Sequence, residues 1–149
     1  MCGITGFINN LDGVSAQNKQ NHLMSMVKSI TYRGPDDYGI WQNNFLGLGH
    51  NRLAIPDLSV TGHQPMHSND KRFTIVFNGE IYNFENLKKN LKEFKFRSKS
   101  DTEILLKLYI KFETKCLEMI EGMYAFSIYD NLKKELFCAR DPFGIKPFY

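Results

Sequence analysis

Cys2 is the residue of this 149-residue chain with the clearest chemical potential, because removal of Met1 would make it the first residue. An N-terminal cysteine carries a thiol nucleophile and a free α-amine on the same α-carbon, so no distant histidine is needed as a base. The amine titrates at about 7.7–8.0 and the thiol near about 8.5, which makes proton transfer between them nearly isoenergetic at neutral pH. A lone cysteine is more often a buried apolar residue, so both interpretations stay open.

Asn78 and Gly79 could provide two hydrogen-bond donors at one point, the Asn side-chain amide and the Gly backbone N–H. Two such donors suit the oxyanion that forms when an amide carbonyl is attacked. The pair directly follows the apolar run 73–77, which predicts a strand buried on both faces. Because Asn-Gly is also the commonest hairpin signal, a plain turn is the alternative interpretation.

Three charged residues could recognise the two ends of an α-amino acid. The planar guanidinium of Arg52 can hold a carboxylate with two parallel hydrogen bonds. Asp101 and Glu80 could bind an ammonium group, although an aspartate at a helix start usually acts as a capping or first-turn acid. A thiol, two donors, a cation and two acids together suit cleavage of the side-chain amide of glutamine. Spacing alone does not show that these residues converge.

The elements that must position these residues follow from the apolar pattern. Strands are predicted at 3–9, 46–50 and 73–77, and a hairpin at 125–129 and 135–139. Helices are predicted after Ser15, around 84–91, and after Ser100, where Ser-x-x-Glu has the form of a capping box. Such blocks predict an α+β domain in which helices cover antiparallel sheets.

Composition excludes several classes of function. The formal charge is +3, from 19 basic and 16 acidic residues, and the basic stretch 88–99 is interpreted as a solvated helix face, not a nucleic-acid site. No apolar run approaches the roughly 18–20 residues of a membrane helix and no signal peptide is visible, so a cytoplasmic location is expected.

The sequence predicts neither a disulfide framework nor a metal site. Three cysteines occur without a CxxC pair, and four histidines without an HExxH arrangement. Cys116 and Cys138 lie in apolar stretches and are interpreted as core residues.

Eight short motifs together resemble one known family. They are MCGI at 1–4, RGPD at 33–36, HNRL at 50–53, GHQPM at 62–66, FNGEIYN at 77–83, SDTE at 100–103, GMYAF at 122–126 and RDPFGIKP at 140–147. In this order they resemble the class II glutamine amidotransferase domain over essentially the whole chain, and most closely the N-terminal half of glutamine-hydrolysing asparagine synthetases.

The resemblance implies a fold and a set of site residues. The fold is that of the N-terminal nucleophile hydrolases, a four-layer α/β/β/α sandwich of two antiparallel sheets. In the family's chemistry Cys2 would attack the glutamine amide, and Asn78 with the Gly79 N–H would hold the oxyanion. The resemblance also implies the residues that bind the substrate, namely Arg52, Leu53, Ile55, Glu80 and Asp101.

The resemblance further implies a glutaminase half of an asparagine synthetase, with residues 1–149 forming one domain. The chain has no Ser-Gly-Gly-x-Asp-Ser pyrophosphate loop and no Walker motif. We therefore expect no cofactor in this domain, and ATP and Mg²⁺ only in a C-terminal synthetase domain that is absent from this chain. The expected partners are glutamine and that synthetase domain, reached by an ammonia path. Nucleic acid and membrane partners are not expected, and a homodimer stays open.

Three alternatives remain at this point. One is a non-catalytic module that binds glutamine or a partner with Met1 retained. Another is an amidotransferase half that serves a different acceptor in polysaccharide or antibiotic biosynthesis. The third is a self-processed hydrolase of another amide, against which the pairing of Arg52 with Asp101 argues.

Overall fold

A computed structural model describes residues 2–8, 13–54 and 60–149 of the chain. Among them are seven strands and three α-helices. The strands are β1 (Gly3–Ile8), β2 (Asp37–Gln42), β3 (Leu46–Arg52), β4 (Met66–His67), β5 (Phe73–Ile81), β6 (Gly122–Asp130) and β7 (Glu135–Arg140). The helices are α1 (Ala16–Ser29), α2 (Phe84–Lys89) and α3 (Asp101–Phe112).

The first sheet has the strand order β1-β3-β2, with both pairs antiparallel. Its central strand β3 is buried along its whole length, and α1 packs on it. Gly49 allows this close approach, since a Cβ there would lie 2.5 Å from a methyl carbon of Val27. Ser15 caps α1 as predicted, and its hydroxyl accepts a hydrogen bond from Asn18 N at 3.2 Å.

The second sheet has the antiparallel order β4-β5-β6-β7. Side chains alternate between its faces. Ile75 and Phe77 of β5 belong to the core beneath α2 and α3, whereas Val76 packs against Leu46 and Leu48 of the first sheet. The prediction that this strand is buried on both faces is confirmed.

The layers run α1, first sheet, second sheet, then α2 with α3. Helix α1 contacts β1, β2 and β3, strands β1 and β3 contact β5, and α3 contacts β5 from the opposite side. The predicted α+β class with two antiparallel sheets between helical layers is confirmed. The seam between the sheets brings the start of β1 next to β5.

Strand β5 corrects one prediction. It continues through Asn78 and Gly79 to Ile81, paired residue by residue with β6, so the interpretation of Asn-Gly as a turn is wrong. Pairing over the whole length of β6 overrides the local preference of Asn-Gly for a turn. Strands β2 and β4 were not predicted, because β2 contains an aspartate and a glycine and β4 has only two residues.

The start of α3 is correct, but the predicted capping box is only half formed. Ser100 accepts from Thr102 N at 3.0 Å. Glu103 does not reach back to Ser100. Its carboxylate instead accepts from Arg97 N and Ser98 N.

The two remaining cysteines differ from each other. Cys116 is buried as predicted, whereas the interpretation of Cys138 as a core residue is wrong because it is exposed. Cys138 lies in the edge strand β7, on the face opposite Phe137, which packs on the helical side. Sheet alternation alone does not bury a residue at a sheet edge.

Candidate active site

A cavity of about 130 Å³ lies where β1, β3, β5 and the start of α3 meet. It brings together seven of the eight residues predicted to act on or bind the substrate: Cys2, Arg52, Leu53, Asn78, Gly79, Glu80 and Asp101. The eighth, Ile55, lies outside the described residues. Residues from both ends of the chain therefore line one cavity.

Cys2 immediately precedes β1, and its half-buried thiol lies against the end of β3. Its Sγ accepts from Leu53 N at 3.4 Å and donates to Leu53 O at 3.7 Å. The Arg33 side chain donates to the Cys2 carbonyl oxygen from Nη2 at 3.3 Å and from Nε at 3.4 Å. These contacts hold the thiol at the cavity wall.

Strand geometry decides which groups of β5 face the cavity. Backbone N–H groups of an antiparallel strand alternate between its two edges. Phe77 N donates to Gln64 Oε1 at 2.7 Å, and Ile81 N donates to Asp101 Oδ2 at 3.2 Å, so both point away from β6. Gly79 lies between them with the same parity, and its N–H therefore points to the same edge.

The side chain of Asn78 lies on the face of β5 that the first sheet covers, the same face as Val76. Asn78 is 4% exposed and lines the cavity together with Cys2. The two donors that the sequence suggested, an amide side chain and the neighbouring N–H, thus both belong to the cavity wall.

The acidic end of the cavity is formed by Asp101 and Glu80. Asp101 is the first residue of α3. It accepts a hydrogen bond from Ile81 N of β5, and it also lines the cavity. Burial, with a contribution from the Glu80 carboxylate, raises its pKa to about 6 from an ordinary value of 3.8, against the opposing hydrogen bonds from backbone N–H groups. Asp101 is therefore both a first-turn acid and a group of the cavity.

The basic end is formed by Arg52, the last residue of β3, which is 8% exposed. Its guanidinium lies against Gly62. A Cβ on Gly62 would lie 2.4 Å from Arg52 Nη2, so a side chain at position 62 would displace the guanidinium. The segment that carries the GHQPM motif is thus a wall of the cavity.

Several cavity residues were not assigned a role from the sequence. They are Gly62, Gln64, Phe77, Ser100, Thr102, Met123 and Lys146. All seven belong to motifs that carried the family resemblance, which was the available signal for them. Their side-chain directions depend on tertiary contacts, so the sequence did not indicate a function for any of them.

His50 also lies beside the site. It is completely buried, and its Nε2 donates to Phe77 O at 3.2 Å. Burial lowers its pKa to about 4, so the ring is neutral at physiological pH. Its contact is with the backbone of β5 and not with the thiol, which fits a structural role.

A larger groove of about 770 Å³ adjoins the cavity, and Cys2 and Asn78 border both. Its walls include β1, Leu136 and Cys138 of β7, and residues 147–149.

In the part of the chain that the structure describes, no helix has the length and apolar character required to cross a membrane.

Curated relatives match the whole chain. It is 43% identical to a putative glutamine-hydrolysing asparagine synthetase 2 of Methanocaldococcus jannaschii and 40% identical to glutamine-hydrolysing asparagine synthetase 3 of Bacillus subtilis. It is 39% identical to a protein of Gibberella zeae named amidase chry2. The matches cover all of this chain but only 32%, 24% and 24% of those proteins, so the chain spans about a quarter to a third of their length.

A solved structure agrees with the fold. Glutamine phosphoribosylpyrophosphate amidotransferase from B. subtilis, in complex with ADP and GMP, superposes with a TM-score of 0.58 at 29% identity, over 68% of this chain and 24% of that one. The sequence also matches the family description "Glutamine amidotransferase domain" over residues 1–149. With its N-terminal cysteine motif and its two stacked antiparallel sheets, the chain belongs to the class II glutamine amidotransferase domain family.

Proposed function

We propose that this domain hydrolyses glutamine to glutamate and ammonia, with Cys2 as the nucleophile. The observation that carries the proposal is that one cavity is lined by a thiol, a guanidinium, two carboxylates and the two proposed oxyanion donors, Asn78 and Gly79. Each group matches one part of the glutamine molecule. A generic hydrolase would not need recognition groups for both the α-amino and the α-carboxylate end.

Glutamine would bind with its α-carboxylate on Arg52 and its α-ammonium between Asp101 and Glu80. The backbone of Leu53 would line the pocket, and Ile55 follows it in the same segment of the sequence. This orientation directs the side-chain amide toward Cys2 and Asn78. The charged ends fix the substrate, so that the amide carbon is held near the thiol before reaction.

The reaction would begin with transfer of the Cys2 thiol proton to the α-amine and attack of Sγ on the amide carbon. The negative charge would develop on the amide oxygen, which accepts hydrogen bonds from the Asn78 side chain and the Gly79 N–H. The α-amine then returns the proton to the leaving nitrogen, the C–N bond breaks, and ammonia leaves a thioester. A water molecule adds to the thioester, the C–S bond breaks, and glutamate and the free thiol form.

This chemistry requires that Met1 be removed. With Met1 attached, the nitrogen of Cys2 is an amide without useful basicity, and the proton has no base beside the thiol. Retention of Met1 would instead favour the alternative of a non-catalytic binding module.

We further propose that the domain acts as the glutaminase half of an asparagine synthetase. The identities of 43% and 40% to proteins of that name support this proposal. The ammonia would leave through the adjoining groove, which borders Cys2 and Asn78, to reach a synthetase half where ATP and Mg²⁺ act. No step of this domain's own chemistry uses ATP or the metal ion.

One observation supports the alternative that the domain supplies ammonia to an acceptor other than aspartate. Amidase chry2 matches the whole of this chain at 39% identity, so a similar domain also occurs in a protein that is not named an asparagine synthetase. The residues that choose the acceptor would lie outside the cavity described above.

Glutamate release by the natural gene product tests the glutaminase proposal. We expect release by protein whose intact mass shows loss of Met1, and its abolition by Cys2→Ala. Cys138→Ala removes an exposed thiol and is the matched control, which should retain activity. Residual activity of Cys2→Ala within a few-fold of the unmodified protein would contradict the proposal, because the covalent route depends on this thiol.

The acceptor is tested with glutamine labelled with ¹⁵N in its side-chain amide. Given aspartate, ATP and Mg²⁺, the natural gene product should transfer the label to asparagine. Glutamate formation without labelled asparagine would leave the glutaminase intact and refute the assignment as an asparagine synthetase.

A further inference from the structure

We propose that Gln64 is a positioning residue for the proposed oxyanion donors Asn78 and Gly79, because its side chain ties Phe77 of β5, two residues before Gly79, to Thr102 at the start of α3. This inference rests on the proposed glutaminase function. Gln64 is 5% exposed and belongs to the GHQPM motif, to which the function described above assigns no role.

Both polar atoms of the Gln64 side-chain amide form hydrogen bonds. Its Oε1 accepts from Phe77 N at 2.7 Å, and its Nε2 donates to Thr102 Oγ1 at 3.2 Å. The donor on Phe77 fixes which atom is the oxygen, since a backbone N–H requires an acceptor. All three residues are buried, so these hydrogen bonds have little competition from water.

A side chain is needed to bond the backbone of Phe77 because the neighbouring strand of the sheet does not extend that far. Strand β4 pairs with β5 only at Ile75 and Thr74. At Phe77 the outer edge of β5 has no strand beside it among the described residues. Gln64 Oε1 takes the N–H and His50 Nε2 donates to the C=O, so two side chains replace the missing strand at this residue.

The hydrogen bonds form a closed path around Gly79. Gln64 connects Phe77 to Thr102, and the neighbouring Asp101 connects α3 back to Ile81 N at 3.2 Å. Gly79 is midway between Phe77 and Ile81 and presents its N–H to the same edge. The Phe77–Gln64–Thr102 bridge, here called the Gln64 bridge, therefore sets how far this N–H lies from α3.

The Gln64 bridge should affect the oxyanion more than the thiol. Cys2 is held by hydrogen bonds from Leu53 and Arg33, and Gln64 takes part in neither of them. A shift of β5 would move the oxyanion donors relative to Sγ. Misplacement by about 1 Å can lower a rate roughly 100-fold.

The test compares Gln64→Met, Thr102→Val, the double variant and Gln42→Met in the natural gene product. Gln64→Met keeps the length of the side chain and removes both hydrogen bonds, while Thr102→Val removes one. Gln42→Met is the matched control, because Gln42 Nε2 also donates one hydrogen bond, to Ala16 O at 3.0 Å, away from the cavity.

For Gln64→Met we expect kcat for glutamine to fall by about 10- to 100-fold, with a smaller change in KM. The rate of Cys2 alkylation by iodoacetamide, which needs no oxyanion donors, should stay within about twofold. Thr102→Val should lose less, and the double variant should match Gln64→Met, because both changes break the same bridge. Gln42→Met should match the unmodified protein.

Three outcomes would overturn the proposal. They are a kcat of Gln64→Met within about threefold of the unmodified value, a parallel fall in alkylation rate, and losses that multiply in the double variant. Amide hydrogen exchange supplies a readout without turnover: exchange at Phe77 should accelerate in Gln64→Met and not in Gln42→Met. If the unmodified protein lacking Met1 releases no glutamate, the glutaminase proposal fails, and the exchange rates alone then decide on the bridge.

Discussion

Asp101→Asn should make the protein more stable at alkaline pH while it weakens glutamine binding. The Asp101 carboxylate accepts a hydrogen bond from Ile81 N at 3.2 Å, and the nearby Glu80 carboxylate repels its negative charge. Asparagine keeps an oxygen acceptor for the Ile81 N–H and removes the negative charge. The substitution therefore isolates the cost of the buried charge from the cost of a lost helix contact.

The magnitude follows from the pKa of Asp101. Burial raises it to about 6 from 3.8, and at 1.36 kcal/mol per pH unit this corresponds to about 3 kcal/mol. Because the folded pKa lies above the unfolded one, the folded state binds the proton more tightly. Stability from this group is fully present below about pH 3.8 and is lost as the pH rises through about 6.

Urea unfolding at several pH values measures the effect. At pH 8 the midpoint of Asp101→Asn should lie above that of the unmodified protein by about 1–2 M urea, from about 3 kcal/mol and an m-value of roughly 1.5–3 kcal/mol/M. The difference should shrink toward zero near pH 4. Asp36→Asn is the control, since Asp36 accepts Ala54 N at 2.8 Å at an exposed position, and surface changes are usually within about 0.5 kcal/mol.

The same residue should control substrate affinity. The Cys2→Ala variant should bind glutamine without turning it over, so calorimetry on it should measure affinity alone. Affinity should fall about tenfold per pH unit below about pH 6, where Asp101 takes up a proton. Adding Asp101→Asn should lower affinity at pH 8 by about 2–5 kcal/mol and remove this pH dependence. A stability difference that does not vary between pH 4 and 8, or an unchanged affinity profile, would refute the reasoning.

Two further substitutions test the other walls of the cavity. Asn78→Ala should lower kcat by about 10²–10³-fold with little change in KM, as measured by glutamate release, because it removes a proposed oxyanion donor; a loss confined to KM would contradict that role. Gly62→Ala would place a Cβ 2.4 Å from Arg52 Nη2, so the guanidinium must move and KM for glutamine should rise far more than kcat falls. An unchanged KM there would mean that Arg52 does not bind the α-carboxylate.

Local patterns predicted much of the secondary structure. The hairpin of β6 and β7 was predicted by two alternating runs around a polar loop, and the structure confirms it. The helix starts at Ser15 and Ser100 were predicted from their capping side chains, which bond to backbone N–H groups only two or three residues away. These signals are reliable because the interactions that produce them are local.

The secondary-structure and burial predictions that were wrong or missing also share a cause. Asn78 and Gly79 lie inside β5 because β6 pairs with them, and a partner strand more than forty residues away is not visible in a local pattern. Strand β2 was missed because its pairing with β3, not its composition, makes it a strand. Cys138 was expected in the core because it lies in an apolar stretch, but β7 is at the edge of the sheet and the thiol is exposed.

The sequence by itself determined the reactive groups and, through their ordered motifs, the family. It supplied a cysteine one residue from the start, a guanidinium, an amide beside a glycine and two acids, since side-chain chemistry is a property of residue type. Only the tertiary structure decided that they share a cavity, that the Gly79 N–H faces it, and that burial raises the pKa of Asp101. Direction and desolvation depend on what packs around a group, and here those neighbours come from distant parts of the chain.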